Sequence, residues 1–480
     1  MLRFPDNNRL YLAAFVLMLG AAGTAPEAAA QDAEGAVVLT LEECLRAAGE
    51  SNADIRGAAL DLRAAELQRE EAFAEYFPRV SATGFGFYSL NPLLDIGIKD
   101  ILGDNELSNN LQDLITTAGA EFGIPSRYTA MQHGYLLGVV AMQPLYAGGR
   151  IVNGNRLAEL GVKAAGLSAD MQKRKTLRGI EQAWWQAASL EDKKATLERV
   201  ISIMDELKSS VDAAVGAGLA AETDALQLEL RSSETRAALR QVESGQKLIK
   251  MSILNSAGIE YTLLRSLSDE GRPYIDDISL DFSSDEPLSP EHYRKDEQEI
   301  VSSLAERQLL DLQVDANRLQ KKMALGEALP QVAVGVAAGY SDFLGRGRAD
   351  ALAVATVSIP LSDWGKTSKK VQRLQTQVQK AEEQRDYLDR QLSLKVASLW
   401  VELEARYDAL LNSEESLDIA TRLFEVARQN YAAGLIGISD LLTAEASYRQ
   451  AASERADALI AYRNAVKAYQ QPVISEGAQL

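Results

Sequence analysis

Two stretches of this chain carry a helical pattern far longer than a compact domain uses. From Arg150 to about Ala214 no proline occurs, and Leu197, Val200, Met204, Leu207, Val211 and Ala214 recur by threes and fours. Later, Leu403, Leu410, Leu417, Phe424 and Tyr431 recur at sevens. Both spacings predict coiled-coil seams. About 65 residues at 1.5 Å each make roughly 100 Å of helix. A returning helix of about half that length follows each. Asp224 to Gly258 forms one, and Tyr448, Ala452, Arg455, Leu459, Tyr462, Val466 and Tyr469 mark the seam of the other. Arg455 on that seam reads either as a charge facing a wet lumen or as a side chain snorkelling from an interface. Leu41 to Tyr76 and Ile300 to Leu329 read as shorter helices that stack end on end with the returning pair.

Four segments change period from helical to alternating: Val80 to Tyr88, Tyr135 to Leu145, Val332 to Tyr340 and Ala351 to Leu361, with a turn over Asp342 to Asp350. They run about nine to eleven residues, the length a tilted strand needs to cross a bilayer. Four strands cannot close a barrel, and lipid does not tolerate open edges. If these strands span a membrane, several chains must pool them, and three chains give twelve. The alternative is a small soluble sheet capping a helical rod.

The elements occur twice. Gln143-Pro144-Leu145-Tyr146-Ala147-Gly148-Gly149-Arg150 returns 216 residues later as Ile359-Pro360-Leu361-Ser362-Asp363-Trp364-Gly365-Lys366. At the same offset Trp184 meets Trp400, Ala217-Gly218-Leu219 meets Ala433-Gly434-Leu435, and Asp224 meets Asp440. Length is held while identity is not, as two helices running side by side between fixed ends require. Two regions break the pattern. Leu90 to Gly134 is a loop of about 45 residues against nine in its counterpart, acidic and partly apolar, reading as a surface elaboration with a short helix or plug. Ser266 to Glu299, with Asp276-Asp277, Asp281 and Asp285-Glu286, joins the copies.

Composition narrows the function. Arg3 and Arg9 flank a polar start, Leu10 to Gly23 is apolar, and Ala28-Ala29-Ala30 precedes Gln31, the form of a cleaved export signal. The apolar run is too short to span about 30 Å of hydrocarbon. Cys44 is the single cysteine, so no intrachain disulfide forms. A formal charge of −18 disfavours nucleic acid as a partner. Two histidines, His133 and His292, make no histidine-rich metal site and sit in no nucleophile motif. The expectation is a non-enzyme without catalytic residues, metal or cofactor.

The doubled order of helix, Phe77-Pro78-Arg79-Val80 or Leu329-Pro330-Gln331-Val332, strand hairpin, Pro-Leu turn, long helix, Ala-Gly-Leu turn and returning helix resembles the outer-membrane efflux protein family, often called the TolC family. The resemblance runs from about Leu39 to Tyr469. It implies a mainly α fold with a small β part: a long coiled-coil helical tunnel plus four transmembrane strands per chain, in a homotrimer with a twelve-strand barrel. The implied organisation is a signal over 1–30, a first repeat over 31–265, a linker over 266–299 that wraps the tunnel as an equatorial belt, a second repeat over 300–470 and a tail over 471–480. The resemblance also implies location in the outer membrane of a Gram-negative bacterium, with the helices in the periplasm.

The implied partners are a periplasmic adaptor and an inner-membrane pump or ATP-driven exporter. Docking falls on the tip turns, at Gly218, Leu219, Gly434 and Leu435, and the periplasmic entrance is lined by Asp224, Tyr431 and Asp440. The residues themselves read as turns. Gly218 and Gly434 end the seams and suit a left-handed cap, while Thr223-Asp224 and Ser439-Asp440 offer side chains to free amides of the next helix. A threefold ring of Asp224 and Asp440 favours cations or partial protonation. Three residues past Asp440, where some relatives carry another aspartate, stands Thr443, with Gln227 in the first copy. The function expected is a passive exit duct of a tripartite export system, for small toxic molecules first and for type I protein secretion second. A soluble periplasmic coiled-coil scaffold is the alternative of another class.

Overall fold

The computed structural model describes residues 37–122, 127–218, 220–265, 272–283, 287–343 and 347–472. The expected export signal and tail lie outside them. In chain order the elements are β1 (Val37–Leu39), α1 (Leu41–Ser51), α2 (Ala53–Ala74), β2 (Arg79–Tyr88), β3 (Leu94–Gly97), α3 (Ile98–Leu102), α4 (Glu106–Phe122), β4 (Arg127–Ala130) and β5 (His133–Ala147). Then come α5 (Arg150–Gly216), α6 (Glu222–Ala257), β6 (Ile278–Leu280), α7 (Glu297–Ser303), α8 (Ala305–Gly326), β7 (Gln331–Asp342), β8 (Arg348–Ser358), α9 (Lys366–Ala432) and α10 (Ile438–Gln470). Helices α5 and α9 are each 67 residues long, and α2 and α8 are each 22.

The chain divides into two compact units. Among the described residues, one holds 37–56, 172–294 and 398–472; the other holds Gly57–Met171 and Lys295–Ala397.

In the first unit the seams face inward as the spacing predicts. Leu197, Val200, Met204 and Val211 on α5 and Leu403, Leu410 and Phe424 on α9 are buried. Cys44 and Ala48 of α1 pack against Ile180, Trp184, Ile253 and Ala257. The Cys44 thiol is buried, and burial, helped by the Glu43 carboxylate, pushes its pKa up to about 11. The linker is fixed at several points. β6 pairs in parallel with β1, Ile275 and Ile278 pack on Leu254, the Tyr462 hydroxyl donates to the Leu288 carbonyl, and the Arg294 guanidinium lies over the Trp400 ring. Arg455 is ion-paired with Asp192 at 3.7 Å and Glu414 at 3.9 Å, so it bridges α10 to α5 and α9 rather than standing as a lone charge.

The helix expected over Leu41 to Tyr76 is broken at Asn52. Its side-chain oxygen accepts from the amides of Asp54 and Ile55, and its side-chain nitrogen donates to the Ser256 carbonyl. One residue thus caps α2 and ties the joint to α6. The helix expected over Ile300 to Leu329 breaks likewise at Leu304, where burial of the leucine replaces the cap.

The second unit contains the four-stranded antiparallel sheet, in the order β2-β5-β7-β8. Register fixes two unlike faces, because paired residues point the same way. One face collects Val80, Ala82, Gly84 and Gly86, then Ala141, Val139 and Leu137, then Val334, Val336, Ala338 and Tyr340, then Val357, Ala355, Ala353 and Ala351. It is apolar nearly throughout and is exposed at Leu137, Val139, Val336 and Val357. The other face carries Arg79, Ser81, Thr83, Ser341, Thr356 and Ser358 among its apolar positions. A bulge sets Leu145 between Pro144 and Tyr146, where proline has no N–H for the ladder.

Pairing moves the predicted boundaries. β7 and β8 are held together out to Ser341 and Arg348, so the expected Asp342 to Asp350 turn contracts, and β8 ends at Ser358 rather than Leu361. The long first loop is itself folded. β3 and β4 form an antiparallel pair, with α3 and α4 between them.

Where the β5–α5 turn meets the end of α8, two glycines touch. A Cβ on Gly148 would fall 2.0 Å from the Gly326 carbonyl oxygen, and one on Gly326 would fall 2.3 Å from that of Gly148. No side chain fits between the backbones. Gly326→Ala is expected to destabilise the protein by about 1–3 kcal/mol, visible as a lower midpoint in thermal unfolding followed by helical circular dichroism. Cys44 is expected to resist alkylation at pH 8 in the folded protein and to react once the chain is unfolded in guanidinium, because only the thiolate attacks.

Candidate functional site

The expected tip turns lie at the joined ends of two helical hairpins. Val200, Met204 and Val211 of α5, Leu228 of α6, Phe424 and Ala427 of α9, and Ile438, Leu441 and Tyr448 of α10 form one buried cluster. Phe424 and Tyr448 stack within it, centroids 5.6 Å apart. Val215, Tyr431 and Ile436, which flank the turns, pack against the same cluster. The hairpins are therefore held side by side by one core.

Both turn glycines are left-handed, Gly218 at φ 75° and Gly434 at φ 73°. The Gly434 amide donates to the Tyr431 carbonyl and the Leu435 amide to that of Asn430, which closes α9 by satisfying its last acceptors. The Gly218 amide makes the matching bond to Val215. Nothing lies within 4 Å of a Cβ built on either glycine, so backbone geometry alone requires them. Leu435 is 73% exposed. Leu219 lies outside the described residues.

The expected side-chain caps are absent. α6 begins at Glu222 and α10 at Ile438, behind Ala221 and Gly437, neither of which offers a side-chain bond. Starting the helices ahead of Thr223-Asp224 and Ser439-Asp440 places those residues inside the first turn. There the carboxylates of Asp224 and Asp440 complement the helix dipole without capping it.

Of the entrance residues, Tyr431 and Asp224 come together across the two hairpins. The Tyr431 phenol is pushed above its ordinary value by burial first and by the Asp224 carboxylate second. Asp440 is exposed, as are Gln227 and Thr443, whose hydroxyl donates to the Ser439 carbonyl of its own helix.

One charged group behind the turns escaped the sequence reading. Glu445 is only 1% exposed, and accepts from the Nε of Arg231 at 3.0 Å with the Nε of Arg449 at 3.3 Å. It links α10 to α6 through charge inside the bundle. Losing one partner of such a buried pair costs about 3–5 kcal/mol. Its place seven residues past Ile438 and three before Tyr448, on the buried stripe, was the available signal.

Among the described residues no helix is long and apolar enough to cross a membrane, and no cluster of histidine, cysteine, aspartate or glutamate is placed to hold a metal ion.

Residues 298–471 match the family model described as outer membrane efflux protein. No curated protein is close enough in sequence to match. The fold is similar to that of the outer-membrane channel OprN, at 16% identity over 89% of this chain and 88% of that one, TM-score 0.69. It is likewise similar to the CmeC outer membrane channel of Campylobacter jejuni, at 13% identity over 90% and 85%, TM-score 0.69. The MtrE outer membrane channel of Neisseria gonorrhoeae, solved in its open state, aligns at 14% identity over 90% and 89%, TM-score 0.63. At these identities the likeness is one of fold. The chain thus shares the fold of these channels along most of its length and carries the sequence pattern of the outer membrane efflux protein family over residues 298–471.

Proposed function

We propose that the protein is the outer-membrane exit duct of a tripartite export system, built from three chains that pool their strands into one barrel. The observation that carries this is the open sheet. Four strands show an apolar face of membrane-crossing length, while β2 and β8 each keep one edge unpaired among the described residues. In hydrocarbon those edges must be closed, and other copies of the same chain are the partners that close them. Tyr88, Tyr135 and Tyr340 lie toward one end of the strands and Tyr146 toward the other, as aromatic girdles do at the two interfaces.

A duplicated chain supports the same reading. Helices α5 and α9 begin 216 residues apart, at Arg150 and Lys366, and have equal length. The pairs α1–α2 and α7–α8 break 252 residues apart, at Asn52 and Leu304. Each chain then supplies two similar sectors of a helical tunnel in the periplasm. The tip turns, with Gly218, Leu219, Gly434 and Leu435, receive the helical hairpin of an adaptor, and Asp224, Tyr431 and Asp440 line the entrance. The duct is passive. Energy comes from an inner-membrane pump, and small toxic molecules are the cargo of choice.

The mature protein, extracted gently in detergent, is expected to come from the outer-membrane fraction as a particle of three chains. A soluble single chain would return the strands to an ordinary sheet. A deletion strain is expected to become broadly sensitive to drugs and detergents. Loss of one secreted protein alone would move the cargo to type I secretion. Replacing Gly218 and Gly434 with valine adds about 1–2 kcal/mol of backbone strain at each turn, with nothing within 4 Å of the new Cβ among the described residues. Trimers are expected to persist in the membrane while transport is lost; unchanged transport would remove the docking assignment.

A further inference from the structure

Strand β8 stops short of its counterpart. In β5 the stretch from Gln143 to Ala147 is held in the ladder by β7, through Gln143 opposite Val334, Tyr146 opposite Val332 and Ala147 opposite Gln331. Pairing of β5 with β2 has already ended, at Met142 opposite Arg79. β8 ends at Ser358, the equivalent of Met142. Ile359 to Asp363, the equivalents of 143–147, have no ladder partner among the described residues, and Leu361 is 94% exposed. What β5 receives from β7 is the first strand of the other repeat. For β8 the equivalent partner is a β2, whose outer edge is unpaired among the described residues.

The turns that follow share a backbone but not a side chain. Gly148 and Gly149 have φ of 65° and 75°; Trp364 and Gly365 have 54° and 81°. Gly148 presses on Gly326, whereas Trp364 is 98% exposed in a conformation that large residues rarely take. Its Cβ rules out the close approach that the glycines make. At the 252-residue offset, the end of α8 with Leu325, Gly326 and Leu329 corresponds to the end of α2 with Phe73, Ala74 and Phe77. There Phe73 packs edge-on against Tyr76 and Phe77, at 5.6 and 5.5 Å, and all three rings are exposed.

On the trimer reading, β8 and residues 359–363 meet β2 of a second copy antiparallel, with Ala355 opposite Gly86, and we propose that Trp364 then seats on that copy's Phe73, Tyr76 and Phe77. This rests on the trimer reading and gives its interface a register. The register follows from carrying Val139 opposite Ala338 forward by the two offsets. It also joins the apolar face of one copy to the apolar face of the next, which a slip of one residue would reverse. At its end it brings Arg79 opposite Asp363, charges of opposite sign.

Double-cysteine variants of the full chain test the proposal, oxidised in outer-membrane fractions and read on non-reducing gels beside the particle mass in detergent. Ala355→Cys with Gly86→Cys is expected to give linked dimers and trimers, and Ala353→Cys with Gly86→Cys none. A Cβ at 86 has ordinary van der Waals room within the chain. Trp364→Ala is expected to lower the temperature at which the particle falls to single chains, with the helical signal unchanged. A three-chain particle that links from neither pair, or at least as well from the slipped pair, overturns the register. An unchanged dissociation temperature overturns the seat of Trp364 and leaves it as a lipid contact. A single-chain particle would overturn the trimer reading itself.

Discussion

A backbone in hydrocarbon has no water to bond, so each N–H and C=O must find a partner within the protein. The β2-β5-β7-β8 sheet meets that demand at its three inner seams and leaves it unmet at its two edges. Each unsatisfied group costs several kcal/mol in lipid, and an edge of ten or so residues repeats that cost along its length. No side-chain contact within the chain offsets such a sum. On the proposed reading, with the sheet in lipid, the fold is incomplete as a single chain, and its apolar face, the stretch from Ile359 to Asp363 and its exposed aromatic rings share one explanation.

The helical part answers a different constraint. Long helices gain stability from packing a face rather than from propensity, and α5 and α9 each bury their seams among three other helices around one cluster. The turns at that end need only a backbone that reverses within five residues, which Gly218 and Gly434 supply with φ near +75°. Nothing among the described residues lies within 4 Å of a Cβ built on either glycine. Behind them, Glu445 between Arg231 and Arg449 fixes α10 against α6. The reversal is rigid where it joins the bundle and exposed where it ends.

Much of this was legible in the residues because it rests on period. The seams of α5 and α9, the four strands and the left-handed turns all follow from spacing and from glycine. What escaped depends on contacts distant in sequence. Asn52 interrupts a helical pattern because its side chain reaches Ser256, a partner that periodicity does not reveal. β8 ends at Ser358 because β7 begins at Gln331, so the boundary is set by the neighbouring strand. The caps assigned to Asp224 and Asp440 failed because each helix starts earlier, behind residues with no capping side chain. The stripe position of Glu445 was a signal in the sequence, but its partner Arg231 lies 214 residues away and periodicity does not reveal it.

Duplication raises a problem of its own. Two similar repeats present similar strand edges, and a barrel closes only if each second strand meets the first strand of the other repeat. Should β8 meet a β7-like edge in another copy instead, strands would be consumed in the wrong order and an open array would follow. Within the chain, the Gly148–Gly326 contact accompanies the right pairing of β5 with β7, since no larger residue fits there. Between chains, connectivity gives no help. An exposed tryptophan that is sterically barred from a glycine junction, and an aromatic cluster at the end of α2, make the second junction chemically unlike the first. On the proposed pairing, the strain held at Trp364 has a counterpart in specificity: the position rejects the wrong neighbour as well as attracting the right one.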